Sequence, residues 1–191
     1  MIIGIDIDGV LTDIEQWEFD YGTKFFYEKY GKEIKNADSY SLMDLFDLTE
    51  EQDDEFWNKH FTEYVKTEPV RKFADEVINK LHEQENKIYI ITARYSTNEN
   101  EEMRTLVKDW LAKNNIHYDK LLFSPAEKKI DVCKENNVDV MIEDKPETIN
   151  EISKNIPVIC FNAVYNKQCE GTNIIRCYSW YDIYQKISNI K

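Results

Sequence analysis

The sequence has no apolar run near the roughly 20 residues that a membrane-spanning helix needs, so no membrane partner is expected. No basic stretch followed by a long apolar one stands near its start, and no secretory signal is expected; Met1 leads straight into a strand-like run. Basic residues are outnumbered, 24 Lys and Arg against 37 Asp and Glu, for a net charge of −13. That balance excludes the broad basic footprint of a protein that binds a nucleic-acid polymer. It does not exclude small phosphorylated ligands, since a bound cation supplies positive charge locally. Cysteine is sparse: Cys133, Cys160, Cys169 and Cys177 form no C-x-x-C pair, and reduced thiols in a cytoplasmic protein are expected. The three histidines, His60, His82 and His117, are scattered and show no metal-ligand spacing. Internal repeats and low-complexity linkers are also missing.

What is present is an alternation of apolar runs with helical patterns, the mark of a parallel α/β sheet. The runs are "IIGIDI" at the N-terminus, "KIYIITA" at 87–93, "KLLF" at 120–123, "VDVMI" at 138–142 and "PVICF" at 157–161, with "NIIRCY" at 173–178 as an edge strand. Between them, Val70, Phe73, Ala74, Val77, Ile78 and Leu81 recur at helical spacing, with Pro69 suited to the first turn. Met103, Leu106, Val107, Trp110 and Leu111 mark a second apolar helix face, and shorter helices are expected over 130–136, 147–154 and 181–190.

One interval is too long for a simple crossover, which needs about 30 residues. Residues 14–66 are surplus to the sheet and read as a helical cap inserted after the first strand, leaving 1–13 and 67–191 as a Rossmann-like α/β core. Trp17, Tyr21 and Phe25 lie four apart, and "TEEQ" at 49–52 has capping-box spacing ahead of a helix carrying Phe56, Trp57 and Phe61. The insert holds 13 of the chain's 25 aromatic residues. Most of those rings are expected to build its core; Trp17 and Phe19, just after the first strand, are the candidates to face a ligand. Its acidic stretch 44–56 is expected as a solvated face that repels polyanions.

Ligands of open parallel sheets bind beyond the carboxyl ends of the strands. There the first strand ends in Asp6-x-Asp8, the second in Thr92-Ala93-Arg94 and the fourth in Glu143-Asp144. Taken singly, each is an ordinary turn or cap pattern. Together they bring several carboxylates to one edge, where they repel unless something neutralises them; an oxygen-ligated Mg²⁺ does so.

These segments carry a resemblance. "DIDGVLTD", "IITAR" and "EKKIDVCKENNVDVMIEDKPE" resemble, in order, the signatures of the haloacid-dehalogenase-like (HAD) phosphohydrolases. The inserted helices, the fourth motif and the ending "VICFNAVYN…YSWYDIYQKI" are most similar to the 5'(3')-deoxyribonucleotidase branch and its bacterial nucleotidases. The resemblance implies a Mg²⁺-dependent phosphomonoesterase, with a nucleoside monophosphate as its small phosphorylated substrate, acting as monomer or homodimer. It implies Asp6 as the nucleophile that becomes an aspartyl-phosphate and Asp8 as the acid and base. Asp6, the Asp8 carbonyl and Asp144 are the implied metal ligands, and Thr92, the backbone at Ala93 and a lysine the phosphate contacts. Lys128 and Lys129 both stand near the right place; the branch's spacing to Asp144 favours Lys129.

Two departures from the branch leave alternatives open. Glu143 replaces an aspartate, and either supports the metal through water or ligates it. Arg94 stands in "TAR" where the branch has a Thr-Ser-Pro run, and either joins the phosphate contacts or pairs with a surface acid. A phosphatase of another small metabolite, such as a sugar phosphate, is the second enzyme expectation. A phospho-receiver or metal-binding module is the non-enzyme one; it has no use for the second aspartate of D-x-D. Carbon–halogen hydrolysis is disfavoured, because haloacid dehalogenases lack the Asp8 equivalent. Asp13 is expected as a local structural residue where the chain leaves the sheet.

Overall fold

In the computed structural model, which describes residues 1–94 and 101–190, six strands form one parallel sheet. They are β1 (Ile2–Ile5), β2 (Lys87–Thr92), β3 (Lys120–Phe123), β4 (Val140–Glu143), β5 (Val158–Phe161) and β6 (Ile174–Cys177), in the order β3-β2-β1-β4-β5-β6. Both faces are covered, which explains the near-continuous apolar runs. Alternate side chains divide between the faces. Ile88, Ile90, Val140 and Ile142 pack with α5 (Ala74–Glu83), α6 (Glu101–Lys113) and α9 (Trp180–Ile187). Tyr89, Ile91, Met141 and Val158 pack with α7 (Lys129–Glu135) and α8 (Pro146–Ile152). All four cysteines are buried and unpaired. No helix among the described residues is long and apolar enough to cross a membrane.

The strand order places β1 beside β4, with the chain winding outward from β1 to β3 and then returning to start again on the other side. This reversal opens a crevice at the carboxyl ends of β1 and β4, the two strands that deliver Asp6 and Glu143-Asp144.

Between β1 and α5 the chain forms α1 (Ile14–Trp17), a π-helical turn (Glu18–Gly22), α2 (Thr23–Tyr30), α3 (Leu42–Phe46) and α4 (Glu50–Thr67). The Thr49–Gln52 capping box forms with both reciprocal bonds. The π-turn sets Tyr21, which is half exposed, off the buried stripe of Trp17 and Phe25. Gly22 is required there, because a Cβ would meet the Phe46 ring at 2.8 Å. The rings of Phe25, Phe26, Phe46, Phe56, Trp17 and Tyr64 pack together and run on without a break, through Ile7, Val10 and Leu11, into one face of the sheet. The inserted helices therefore share the sheet's core.

The helix expected from Pro69 begins later, at Ala74, and Phe73 leaves the buried stripe: it is 46% exposed with φ of 67°. The cause is Arg71. Its N–H donates to the Leu11 carbonyl at 2.6 Å, and its guanidinium donates to Thr12 O at 3.1 Å and to both oxygens of Asp13 at 2.9 and 3.1 Å. These bonds tie residues 69–72 to the chain leaving β1. Asp13 also accepts from the Gln16 N–H as the N-cap of α1, the local structural part its position implied.

Candidate active site

The turn after β1 sets the first two carboxylates. Three successive N–H groups, from Val10, Leu11 and Thr12, converge on the Ile7 carbonyl at 3.3, 2.7 and 3.0 Å. Gly9, at φ of 80°, lets this turn close against Asp144; a Cβ there would lie 2.0 Å from Asp144 Oδ2. Asp6 and Asp8 thus leave the strand end on a tightly wound loop.

Asp6 is buried. Its Oδ2 accepts from Lys129 Nζ at 2.8 Å, while Oδ1 is buried with no partner among the described residues. Burial, and then the nearby Glu143 carboxylate, push its carboxyl up to about 8, although Lys129 pulls the other way. Lys129 opens α7 and is 2% exposed, with its ammonium shared between Asp6 and Glu143 Oε2 at 2.8 Å each. Lys128 is exposed. Of the two candidate lysines, Lys129 is the one at the carboxylates.

Glu143 is saturated: besides Lys129, its Oε1 accepts from the N–H groups of Asp144 and Lys145 at 3.1 Å each. Asp144 is held from behind. Its carbonyl accepts from Asn166 Nδ2 at 2.8 Å, and Tyr165 OH donates to its Oδ2. Asn166 is in turn fixed by Arg176 Nη1 at 2.8 Å. Burial, then Glu143 and Asp6, push the Asp144 carboxyl well above the usual carboxylate range.

The all-oxygen donor set fits a hard divalent cation. Ligand atoms of Asp6, Glu143 and Asp144 lie within 4.8 Å of one another. The unpartnered Asp6 Oδ1 and the upward shift of two neighbouring carboxyls show a site short of positive charge. Tyr165→Phe, which removes the hydroxyl orienting Asp144, is expected to weaken the affinity of this donor set for a divalent cation by ~10–100-fold. A Mg²⁺ titration of thermal stability measures this; unchanged affinity contradicts the role given to Tyr165.

Thr92 closes β2 and is buried; its Oγ1 accepts from the Arg94 N–H at 3.1 Å, and its carbonyl from Ser124 N–H at 3.0 Å. Ala93, between them, is exposed. Arg94 turns its guanidinium to Asp8, with Nε at 3.0 and 2.9 Å from the two carboxylate oxygens and Nη2 at 2.6 Å from Oδ1. Tyr64 OH donates to the same Oδ1 at 2.6 Å. Burial raises the Asp8 carboxyl, but Arg94 and Tyr64 outweigh it and hold it below the usual range. The surface pair posed for Arg94 is replaced by a buried one to an acid of the site.

Of the two aromatic residues expected to face a ligand, Trp17 is 5% exposed and covered by other rings, Tyr64 at 4.6 Å, Tyr21 at 5.0 Å and Trp57 at 5.8 Å between centroids. Phe19 packs against the same cluster. That expectation is corrected toward core packing. A cavity of about 260 Å³ between the inserted helices and the sheet edge is lined instead by Tyr40, Trp57 and Tyr165, with Glu18 and Asp53. The Tyr40 ring stands edge-on to Tyr165, 5.1 Å away. Sequence reasoning placed Trp57 on its helix without assigning it to the site, and named neither Tyr40 nor Tyr165. Tyr40 lies on an irregular segment and Tyr165 in a 3-10 turn after β5, where no periodicity singles a residue out.

An apolar strand that ends in two aspartates, beside a second that ends in an acidic pair with one lysine between them, defines the HAD-like phosphohydrolases. Within that class the chain belongs to the family described as 5' nucleotidase, deoxy (pyrimidine), cytosolic type C protein, whose sequence model matches residues 1–191. A nucleotidase of Clostridium acetobutylicum is 31% identical over 183 residues, covering 95% of this chain and 91% of that protein. Among solved structures, a predicted phosphatase from Clostridium acetobutylicum superposes with a TM-score of 0.67 at 17% identity, over 98% of both chains. The D,D-heptose 1,7-bisphosphate phosphatase of B. bronchiseptica, solved with magnesium and phosphate, gives 0.56 at 10% identity, again over 98% of both. The last two likenesses are of fold.

Proposed function

We propose that this phosphatase hydrolyses nucleoside monophosphates, with Mg²⁺, through an aspartyl-phosphate on Asp6. The observation that carries the proposal is the divided Asp6 carboxylate: one oxygen is fixed by Lys129, and the other is buried with no partner among the described residues.

In the first step Asp6 Oδ1 forms a bond to phosphorus and the ester P–O bond breaks. Arg94 and Tyr64 favour the Asp8 carboxylate, so the acid is its protonated minority form, which gives its proton to the leaving alkoxide, a poor leaving group unprotonated. In the second, a water attacks the same phosphorus and Asp8 takes the water's proton. The Asp6–phosphorus bond breaks, and Asp6 returns as a carboxylate. Lys129, the Thr92 hydroxyl and the backbone at Ala93 hold the phosphoryl oxygens. Asp6, the Asp8 carbonyl and Asp144 would hold Mg²⁺, which when bound supplies positive charge against the repulsion between Asp6 and a phosphate dianion. Glu143, whose two oxygens are already engaged, supports the role of orienting Lys129 and the Asp144 backbone over direct ligation.

Residues 14–66 serve as the cap over this site. The cavity walled by Tyr40, Trp57 and Tyr165 offers ring faces to a base, and Tyr165 connects it to Asp144. The test is a phosphate-ester panel with Mg²⁺. An aryl phosphate is expected to be hydrolysed and the activity lost to chelator. One or more of dAMP, dUMP and dTMP is expected to exceed sugar phosphates by at least ~10-fold in kcat/KM. Sugar phosphates turned over as well as the best nucleotide would overturn the nucleotide assignment and leave the phosphatase one standing.

A further inference from the structure

We infer that Arg94 is the positioning residue of the acid/base Asp8, and does not serve as a phosphate contact; the inference rests on the mechanism proposed above. The geometry is a closed clamp. Nε and Nη2 of Arg94 make three contacts of 2.6–3.0 Å with the two oxygens of Asp8, the fork-on-carboxylate arrangement that fixes orientation as well as charge. The guanidinium is itself held between two rings, 5.1 Å from the Tyr64 centroid and 5.4 Å from that of Trp110. At 2% exposure it has little room to swing toward another anion.

The supports reach further back. Tyr64 OH, which shares Asp8 Oδ1 with Arg94, lies 2.7 Å from Thr12 Oγ1, and the Thr12 hydroxyl is also 3.3 Å from the Ile7 carbonyl around which the Asp8 turn is wound. Trp110 is pinned by its indole N–H to the Glu68 carbonyl at 2.7 Å. The Arg94 N–H is bonded to Thr92 Oγ1 at 3.1 Å, so one short piece of backbone sets both the hydroxyl and the guanidinium. Only Nη1 of Arg94 lacks a partner among the described residues. A phosphate contact through the fork would require Arg94 to leave Asp8.

Asp8 sits on a turn, and its side chain is one quarter exposed. Without the clamp it has freedom to rotate away from the ester oxygen. With it, Oδ1 is occupied by Arg94 Nη2 and Tyr64, and Oδ2, touched by Nε alone, is the oxygen that carries the proton to the leaving group and later receives one from water. A geometric error of about 1 Å in such a group costs on the order of 10²-fold in rate.

The experiment exploits leaving groups. Loss of a general acid penalises an alkyl ester, such as a nucleoside monophosphate, far more than p-nitrophenyl phosphate, whose phenolate departs without a proton. With Mg²⁺ and both substrates, the first displacement is read as single-turnover release of the alcohol or of p-nitrophenol. The second, in which Asp8 is the base, is common to both esters and slows both. On the single-turnover readout Asp8→Asn sets the reference pattern. Arg94→Gln is expected to lose ~10²-fold in that single-turnover rate on the alkyl ester and under ~10-fold on the aryl ester, with KM little changed. Arg94→Lys is expected to recover part of the alkyl-ester rate. Tyr64→Phe, which keeps the ring and removes one hydroxyl, is expected to show a smaller loss with the same selectivity; it serves if Arg94→Gln fails to fold. In the double variant Asp8→Asn with Arg94→Gln, the second change is expected to add nothing. Equal losses on both esters, or a raised KM on both, would assign Arg94 to the phosphate and overturn the inference, as would wild-type rates. If Asp8→Asn itself loses both esters equally, the acid role of Asp8 fails and this inference with it. If Asp8→Asn is selective and the Arg94 and Tyr64 variants are not, the inference alone fails.

Discussion

Asp6→Asn is expected to lower kcat by roughly 10⁴–10⁶-fold, the scale seen when a nucleophile is removed from a covalent mechanism. The amide cannot supply the oxygen that bonds to phosphorus, and the rest of the site has no substitute at that position. Folding is not expected to suffer. In the wild type, burial and Glu143 push Asp6 up to about 8, so its ionised form is disfavoured in the folded, metal-free protein. The sign follows. A carboxyl with its folded pKa raised contributes most to stability at low pH and loses that contribution as pH rises through about 8. An amide does not ionise. The variant is therefore expected to match the wild type near pH 4, at the ordinary carboxyl value, and to be the more stable of the two at about pH 9 without metal. Steady-state kinetics and thermal melts at both pH values check it. Activity within ~10-fold of wild type would remove Asp6 from the chemistry.

Lys129→Met is the second large effect, and it falls on stability as well as rate. Burial alone drives the Lys129 ammonium toward neutrality; the Asp6 and Glu143 carboxylates outweigh burial and hold it charged, above its ordinary value. Removing one partner of a buried ionic cluster costs about 3–5 kcal/mol, because the charges left behind have neither water nor a counter-ion. Here Asp6, Glu143 and Asp144 remain, all buried. The folded pKa values of Asp6 and Asp144, already raised, rise further, so the deficit is expected to be largest above pH 8 and to shrink as acid neutralises them toward pH 5. Urea unfolding across that range reads the slope. A deficit independent of pH would mean that Lys129 acts mainly through packing. Catalysis is expected to fall by ~10²–10³-fold, since the proposed mechanism also has Lys129 hold the phosphoryl group as its charge develops.

Much of the sheet was legible because parallel strands buried on both faces cannot hide: β1, β2, β4 and β5 are short apolar runs bounded by polar residues. The site's carboxylates were legible for the opposite reason. Asp6, Glu143 and Asp144 are costly where they stand, and strand ends are where such cost has a use. Other features depend on contacts that spacing cannot show. The late start of α5 follows from Arg71 binding back to Leu11, Thr12 and Asp13, and nothing in "EPVRKF" announces it. The π-turn at Glu18–Gly22 shifts the Trp17 stripe by one residue, and depends on how closely Gly22 approaches Phe46. The Arg94–Asp8 pair joins residues 86 positions apart and the Tyr64–Asp8 bond residues 56 apart. Once Arg94 and Tyr64 are seen on Asp8, the surface acid posed for Arg94 gives way to an acid of the site.

The central claim is that phosphate leaves the substrate in two displacements, the first by Asp6 and the second by water. The stereochemical course at phosphorus tests it most directly. With a substrate ester made chiral at phosphorus by oxygen isotopes, hydrolysis in isotopically distinct water yields inorganic phosphate of defined configuration. Each in-line displacement inverts the centre, so two in succession return it: the account predicts net retention. Net inversion would mean that water attacks the substrate directly, with Asp6 only a ligand or base, and would contradict the account.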